Sequence, residues 1–148
     1  MTEKQHRSRC DKDEKFVRHA GDKSTFPFIC ALRCARKGIM YAFATQKNLK
    51  VHICFAIAAI LLGFLLSVSE AGWLAIVLCI AIVMSLEVLN TAIESVVDMV
   101  SPEWNALAMR AKDCAAGAVY IAAIGSLIVA AIVYIPRIIY IVGTFISG

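Results

Sequence analysis

Apolar and polar positions divide the chain into five stretches. Residues 1–25 are densely charged and show no apolar period. Such a segment buries too little to fold by itself, and it reads as a mobile, charged cytoplasmic tail. From 26 to 45 the pattern turns helical. Phe28, Ile29, Leu32, Ala35, Ile39, Ala42 and Phe43 recur at three- and four-residue steps, while Arg33, Arg36 and Lys37 take other faces. This predicts an amphipathic surface helix lying in a membrane interface. Thr45-Gln46-Lys47-Asn48 then interrupts the period as a polar turn. Three long apolar runs follow, predicting spans over about 51–69, 73–100 and 113–135. A span needs about 20 residues, and these runs supply them. The last run is expected to stop at Pro136-Arg137, with 138–148 a short apolar extension too brief to cross. The prediction is an all-α membrane protein of three transmembrane helices plus an N-terminal surface helix.

Composition strengthens this picture. Apolar residues make up 60% of the 148 and the mean hydropathy is +0.75. A soluble domain carries roughly 45–50% apolar residues, and a chain this short cannot hide the excess in a water-facing core. Twelve of the fifteen Lys and Arg, against five of the eleven acids, lie in residues 1–50. That basic arm places the N-terminus in the cytoplasm by the positive-inside rule. The 100–113 connection, with Arg110 and Lys112, is then cytoplasmic too. A basic arm also suits nucleic acid, but a membrane-tethered chain argues against that partner. Small residues crowd the third run: Ala115, Ala116, Gly117, Ala118, Ala122, Ala123 and Gly125 among them. Close helix approach in lipid uses such residues, so oligomerisation is expected, without a subunit number. The six cysteines form no C-x-x-C pair and stand at no zinc-ligand spacing with His, so neither a metal nor a disulfide role is expected of them.

The chemistry lies where the second run ends. Glu87 follows sixteen uncharged residues (71–86), and Asn90, Glu94 and Asp98 come after it. At about 100° per residue these four side chains share an arc of about 80° on one helix. Ionisable groups at that depth usually mark function. Three acids within three turns repel one another unless a cation sits among them, and a hard ion such as Mg²⁺ suits oxygen ligands. A carboxylate left off the metal suits general-base work. A solvated helix face explains Asp98 well and Glu87 poorly. A second cluster, Arg110-Ala111-Lys112-Asp113, admits two readings. Lys112 could meet a phosphate with Asp113 beside it, or the pair could be a charge anchor and an acid on a helix start. Ser101-Pro102-Glu103 reads as a helix start, with Pro at the first position and Glu103 structural. Nucleotide loops of the G-x-x-x-x-G-K-[ST] and G-x-G-x-x-G kinds are absent.

The string Glu87-Val-Leu-Asn90-Thr91-Ala92-Ile93-Glu94-Ser-Val-Val-Asp98, followed by Ala111-Lys112-Asp113, resembles the bacterial diacylglycerol kinase / undecaprenol kinase family of small membrane kinases. The likeness runs from about Phe26 to Arg137. It implies a homotrimer with sites shared between subunits, using ATP and Mg²⁺ to phosphorylate a lipid hydroxyl. By that resemblance Glu87 is the general base, with Asn90 beside it at the lipid hydroxyl. Glu94 is a metal ligand on the nucleotide side. Asn90, Lys112 and Asp113 also face the nucleotide, and Asp98 supports the site. The family's second metal-binding Glu would fall at Gln46, which offers an oxygen without a charge and so predicts weaker metal affinity. Thr45-Gln-Lys-Asn48-Leu-Lys-Val-His52 and the Ile135-Pro136-Arg137 ending resemble the Gram-positive branch, associated with undecaprenol rather than diacylglycerol. His52 by itself reads as a satisfied interfacial histidine. Two other classes compete. A small multidrug-type transporter would set its acid near the midplane and needs no Ala-Lys-Asp cluster. A structural membrane subunit leaves the polar stripe unexplained.

Overall fold

The computed structural model describes residues 28–146. The expected tail over 1–25 lies outside the described residues. The chain divides into two compact units, one ending at Ile39 and one beginning at Met40. In the first unit, Phe28–Ile39 belongs to the first helix, α1 (Phe28–Thr45). Its Phe28, Ile29 and Leu32 are exposed, as an amphipathic face meant for lipid would be. The second unit carries the long apolar helices. It holds the end of α1 and three long helices, α2 (Lys47–Leu65), α3 (Glu70–Val100) and α4 (Ala106–Ile146).

All three long helices are long and apolar enough to cross a membrane. At 1.5 Å per residue the 31 residues of α3 reach about 45 Å, beyond a hydrocarbon core of about 30 Å. The helix therefore projects from the apolar layer, and its C-terminal half carries Glu87, Glu94 and Asp98. Few residues are buried within the unit. Most large apolar side chains, such as Phe55, Leu61, Leu74, Ile121 and Ile128, are exposed, which is the composition of a lipid-facing surface.

The α2–α3 connection is a helix stop built from backbone bonds. Val68 N–H donates to Gly63 O at 3.1 Å and Ser67 N–H to Phe64 O at 3.2 Å. Ser67 takes φ 49°. This is the Schellman pattern, with serine in the left-handed position that glycine usually fills. Ser69 then caps α3, its Oγ accepting from Gly72 N–H. Gly63 and Gly72 are dictated by crowding here. A Cβ on Gly63 would stand 2.9 Å from the Trp73 ring, and one on Gly72 would meet Val68 and stand 3.2 Å from Val133 on α4. The small core at this end joins Leu66, Ile76 and Tyr134.

Two side chains of α4 strap it to α2 and its turn. Tyr134 Oη donates to Ala59 O at 2.7 Å, and Arg137 donates from Nε and Nη2 to Ser67 O. Tyr134 is 7% exposed. Tyr134→Phe removes the donor and leaves a carbonyl acceptor short in an apolar setting. It should lower stability by about 1 kcal/mol, read as a reduced thermal midpoint in detergent. An unchanged midpoint would mean that the bond contributes nothing.

Four local expectations change. The third span does not end at Pro136, because α4 runs through it to Ile146. Proline removes one backbone donor, a loss that membrane helices tolerate. Residues 147–148 lie outside the described residues. Residues 101–105 are not helical, so Pro102 starts no helix. The start of α4 is set instead by Asn105, whose Oδ1 accepts from Leu107 and Ala108 N–H. The polar turn shrinks to Gln46 alone, extended at φ −95° and ψ 121° between two helices. Finally, Cys30 is disulfide-bonded, while Cys34, Cys54, Cys79 and Cys114 are free. A disulfide requires neither a C-x-x-C pair nor a zinc-ligand spacing, so the absence of both does not exclude one.

Candidate functional site

The C-terminal half of α3 meets the first turns of α2 through Glu87 and His52, and Lys112 of α4 reaches Asp98 in the last turn of α3. Glu87 is 3% exposed and Asn90 7% exposed, both on the face that the helical arc predicts. Glu94 is half-buried and Asp98 exposed. The stripe thus runs from a buried carboxylate outward to a solvated one. Thr91 is buried beside it, its hydroxyl donating to the Glu87 carbonyl within the helix.

Glu94 is the hub. Gln46 Nε2 donates to its Oε2 at 2.8 Å, and Asn90 Nδ2 donates to its Oε1 at 2.9 Å. The single extended residue between α1 and α2 is what frees Gln46 from both helices to reach α3. Glu94 and Asp98 lie in the last two turns of α3, the negative end of the helix dipole, where acids destabilise. Their placement therefore serves something other than helix stability. Lys112 offsets one of them by pairing with Asp98.

Glu87 has a partner the sequence did not single out. His52 Nε2, on the second turn of α2, stands 3.2 Å from Glu87 Oε1. The only signal for it was the T-x-x-N-x-x-x-H string, and the bland interfacial reading of His52 masked it. Asp113 is exposed, two turns into α4. Since the helix starts at Ala106 under an Asn105 cap, the reading of Asp113 as a helix-starting acid falls, because the dipole effect is confined to the first turn.

Among the described residues no group of three His, Cys, Asp or Glu side chains gathers at metal-binding distance. What the site offers is one carboxylate, Glu94, held between two side-chain amides. Asn90 Oδ1 is buried with no hydrogen-bond partner. A buried oxygen left unpaired is uncommon and calls for a ligand. Side-chain amides present either oxygen or nitrogen by a half-turn, so Gln46 can also turn an oxygen inward. This all-oxygen set fits a hard cation that keeps waters and takes phosphate oxygens as its remaining ligands.

An apolar cleft of about 400 Å³ begins at His52 and runs between the three long helices to Tyr134, past Ala56, Ala59, Val83 and Ala130. Its interior polar groups are satisfied: Ser126 Oγ donates to Ala122 O and Tyr134 Oη to Ala59 O. An occupant therefore finds apolar walls along the cleft and an imidazole at its head, with the Glu87 carboxylate 3.2 Å from that ring.

Residues 33–134 match the family described as prokaryotic diacylglycerol kinase. A diacylglycerol kinase of Synechocystis is 43% identical over 109 residues, covering 73% of this chain and 62% of that protein. An undecaprenol kinase of Bacillus subtilis is 35% identical over 137 residues, covering 93% of this chain and 99% of its own length. A diacylglycerol kinase of Escherichia coli is 32% identical over 92 residues, 62% of this chain and 75% of the relative.

Proposed function

We propose, for a chain that belongs to the prokaryotic diacylglycerol kinase family of membrane lipid kinases, that it phosphorylates undecaprenol with ATP, giving undecaprenyl phosphate. The observation that carries the reaction is the buried Glu87, paired with His52 at the head of an apolar cleft, one turn from Asn90 and two turns from Glu94. A lipid alcohol laid along the cleft brings its hydroxyl to Glu87. Glu87 takes the hydroxyl proton as the lipid oxygen attacks the γ-phosphorus, and ADP leaves. Phosphoryl transfer asks a protein for positioning and charge neutralisation more than for covalent help.

Glu94, Asn90 and Gln46 would hold Mg²⁺, which when bound neutralises phosphate charge. Lys112 and Asp113 stand on the nucleotide side. Lys112 would exchange Asp98 for a phosphate, and Asp98 would hold the ammonium in place until then. ATP sets the site in the cytoplasm, in agreement with the basic N-terminal arm and with Arg110 and Lys112. A homotrimer in the bacterial cell membrane is what the family resemblance implies, and the small residues of the third span, such as Ala115, Gly117 and Ala122, suit close helix approach.

Undecaprenol is favoured by the near end-to-end match with the Bacillus subtilis relative and by the Thr45–His52 and Ile135–Arg137 strings. The higher identity to the Synechocystis relative over a shorter stretch supports diacylglycerol as the second reading. Purified protein given Mg-ATP and each lipid in matched micelles should label undecaprenol at least tenfold faster in kcat/KM. The reverse ratio would transfer the assignment to diacylglycerol, and label on neither lipid would end the kinase reading.

A further inference from the structure

His52 joins two features that its interfacial reading does not explain. Its Nε2 lies 3.2 Å from Glu87 Oε1, and its ring also lines the head of the apolar cleft. The Glu87 side chain is 4% exposed and that of His52 23%. No other polar side chain in the described residues bonds to this carboxylate. Asn90 gives its amide to Glu94, and Thr91 bonds to the Glu87 carbonyl rather than to the carboxylate. A buried carboxylate with no anchor turns about its last torsion. Fixing one oxygen fixes the other.

We propose that His52 is the positioning residue for the Glu87 base. Its Nε2–H donates to Oε1, so that Oε2 is the oxygen that receives the lipid hydroxyl. During transfer the lipid O–H bond breaks and its proton goes to Oε2. The lipid oxygen forms its bond to the γ-phosphorus, and the bond from that phosphorus to the β-bridging oxygen breaks, releasing ADP. His52 gains and loses no proton in this step. The inference rests on the reading of Glu87 as general base.

The test uses the full chain in detergent with saturating Mg-ATP and a lipid alcohol. His52→Ala should lower kcat about 100-fold, the scale of a misplaced catalytic group, with KM for ATP and lipid within about threefold. His52→Gln carries an N–H on a side chain long enough to reach Oε1 and should recover most of the rate. His52→Asn keeps the polarity but falls short, and should not recover it. This Gln against Asn contrast holds even if the alanine variant folds poorly. A second readout replaces the acceptor with one whose hydroxyl is made more acidic by fluorine on the adjacent carbon. A more acidic alcohol depends less on its base, so the His52→Ala penalty should shrink severalfold. The Tyr134→Phe penalty should be the same for both acceptors.

Equal rates for Gln and Asn variants, or a penalty independent of acceptor acidity that tracks the thermal midpoint, would reduce His52 to a structural contact and overturn the proposal. A wild-type protein that labels no lipid alcohol, or a Glu87→Gln variant as fast as wild type, would remove the underlying reading itself. Those results are distinguishable, because they appear without any change at His52.

Discussion

Glu87→Gln should lower lipid phosphorylation by on the order of 10³-fold, within the range that a lost general base produces, while the protein stays folded. The substitution keeps shape and an acceptor oxygen for His52 but cannot take a proton. Truncation would confuse catalysis with packing, since Glu87 is buried against α2. The isostere avoids that. It also removes a charge held in an apolar setting, where an ionised carboxylate is expensive. The thermal midpoint in detergent should therefore hold or rise as activity falls. KM for ATP should stay within about threefold, because the base acts on the acceptor and not on the nucleotide. Activity within threefold of wild type would remove Glu87 from the reaction. A midpoint falling in step with activity would make it a structural residue.

The fold was largely legible because each of its signals is periodic. Three apolar runs of spanning length leave no alternative to membrane helices, and the three- and four-residue steps from Phe28 to Phe43 predict the helix seen there. The stripe of Glu87, Asn90, Glu94 and Asp98 was legible for the same reason: all four sit on one helix, where angle follows from spacing. Contacts between helices were not legible. Nothing local says that His52 faces Glu87 or that Gln46 faces Glu94, since those meetings depend on how α2 packs on α3. Helix ends also misled where a side-chain cap competed with a stronger-looking signal. Asn105 set the start of α4 over the Ser101-Pro102 pair, and Pro136 failed to stop it because an apolar solvent penalises an open backbone more than a single missing donor.

Glu94 and Gln46 offer a sharper test of the metal assignment than either residue alone. Of the three side chains gathered at Glu94, only its own is charged; Gln46 and Asn90 are amides that touch it at 2.8 and 2.9 Å. Mg²⁺ takes oxygen ligands and needs carboxylate charge to exchange its waters. Glu94→Gln should therefore cut the rate at about 1 mM Mg²⁺ by roughly 10²-fold and move the half-saturating Mg²⁺ concentration up by tenfold or more. Gln46→Glu works in the opposite direction. It sets a second carboxylate beside the first, which repels it when no cation is present and joins it when one is. Half-saturation should fall by about tenfold, with a lower thermal midpoint in chelator and a larger gain on adding Mg²⁺. The double variant Glu94→Gln, Gln46→Glu decides between charge and position. It keeps one carboxylate and one amide across the same hydrogen bond, with the donor reversed and the charge moved from α3 to the residue between α1 and α2. If the cation sits between the two residues, the exchange should recover at least tenfold over Glu94→Gln alone. If it binds only from the α3 side, the double variant should be no better than the single one. A Glu94→Gln variant with the wild-type Mg²⁺ curve would place the cation elsewhere and leave Glu94 as an anchor for the two amides.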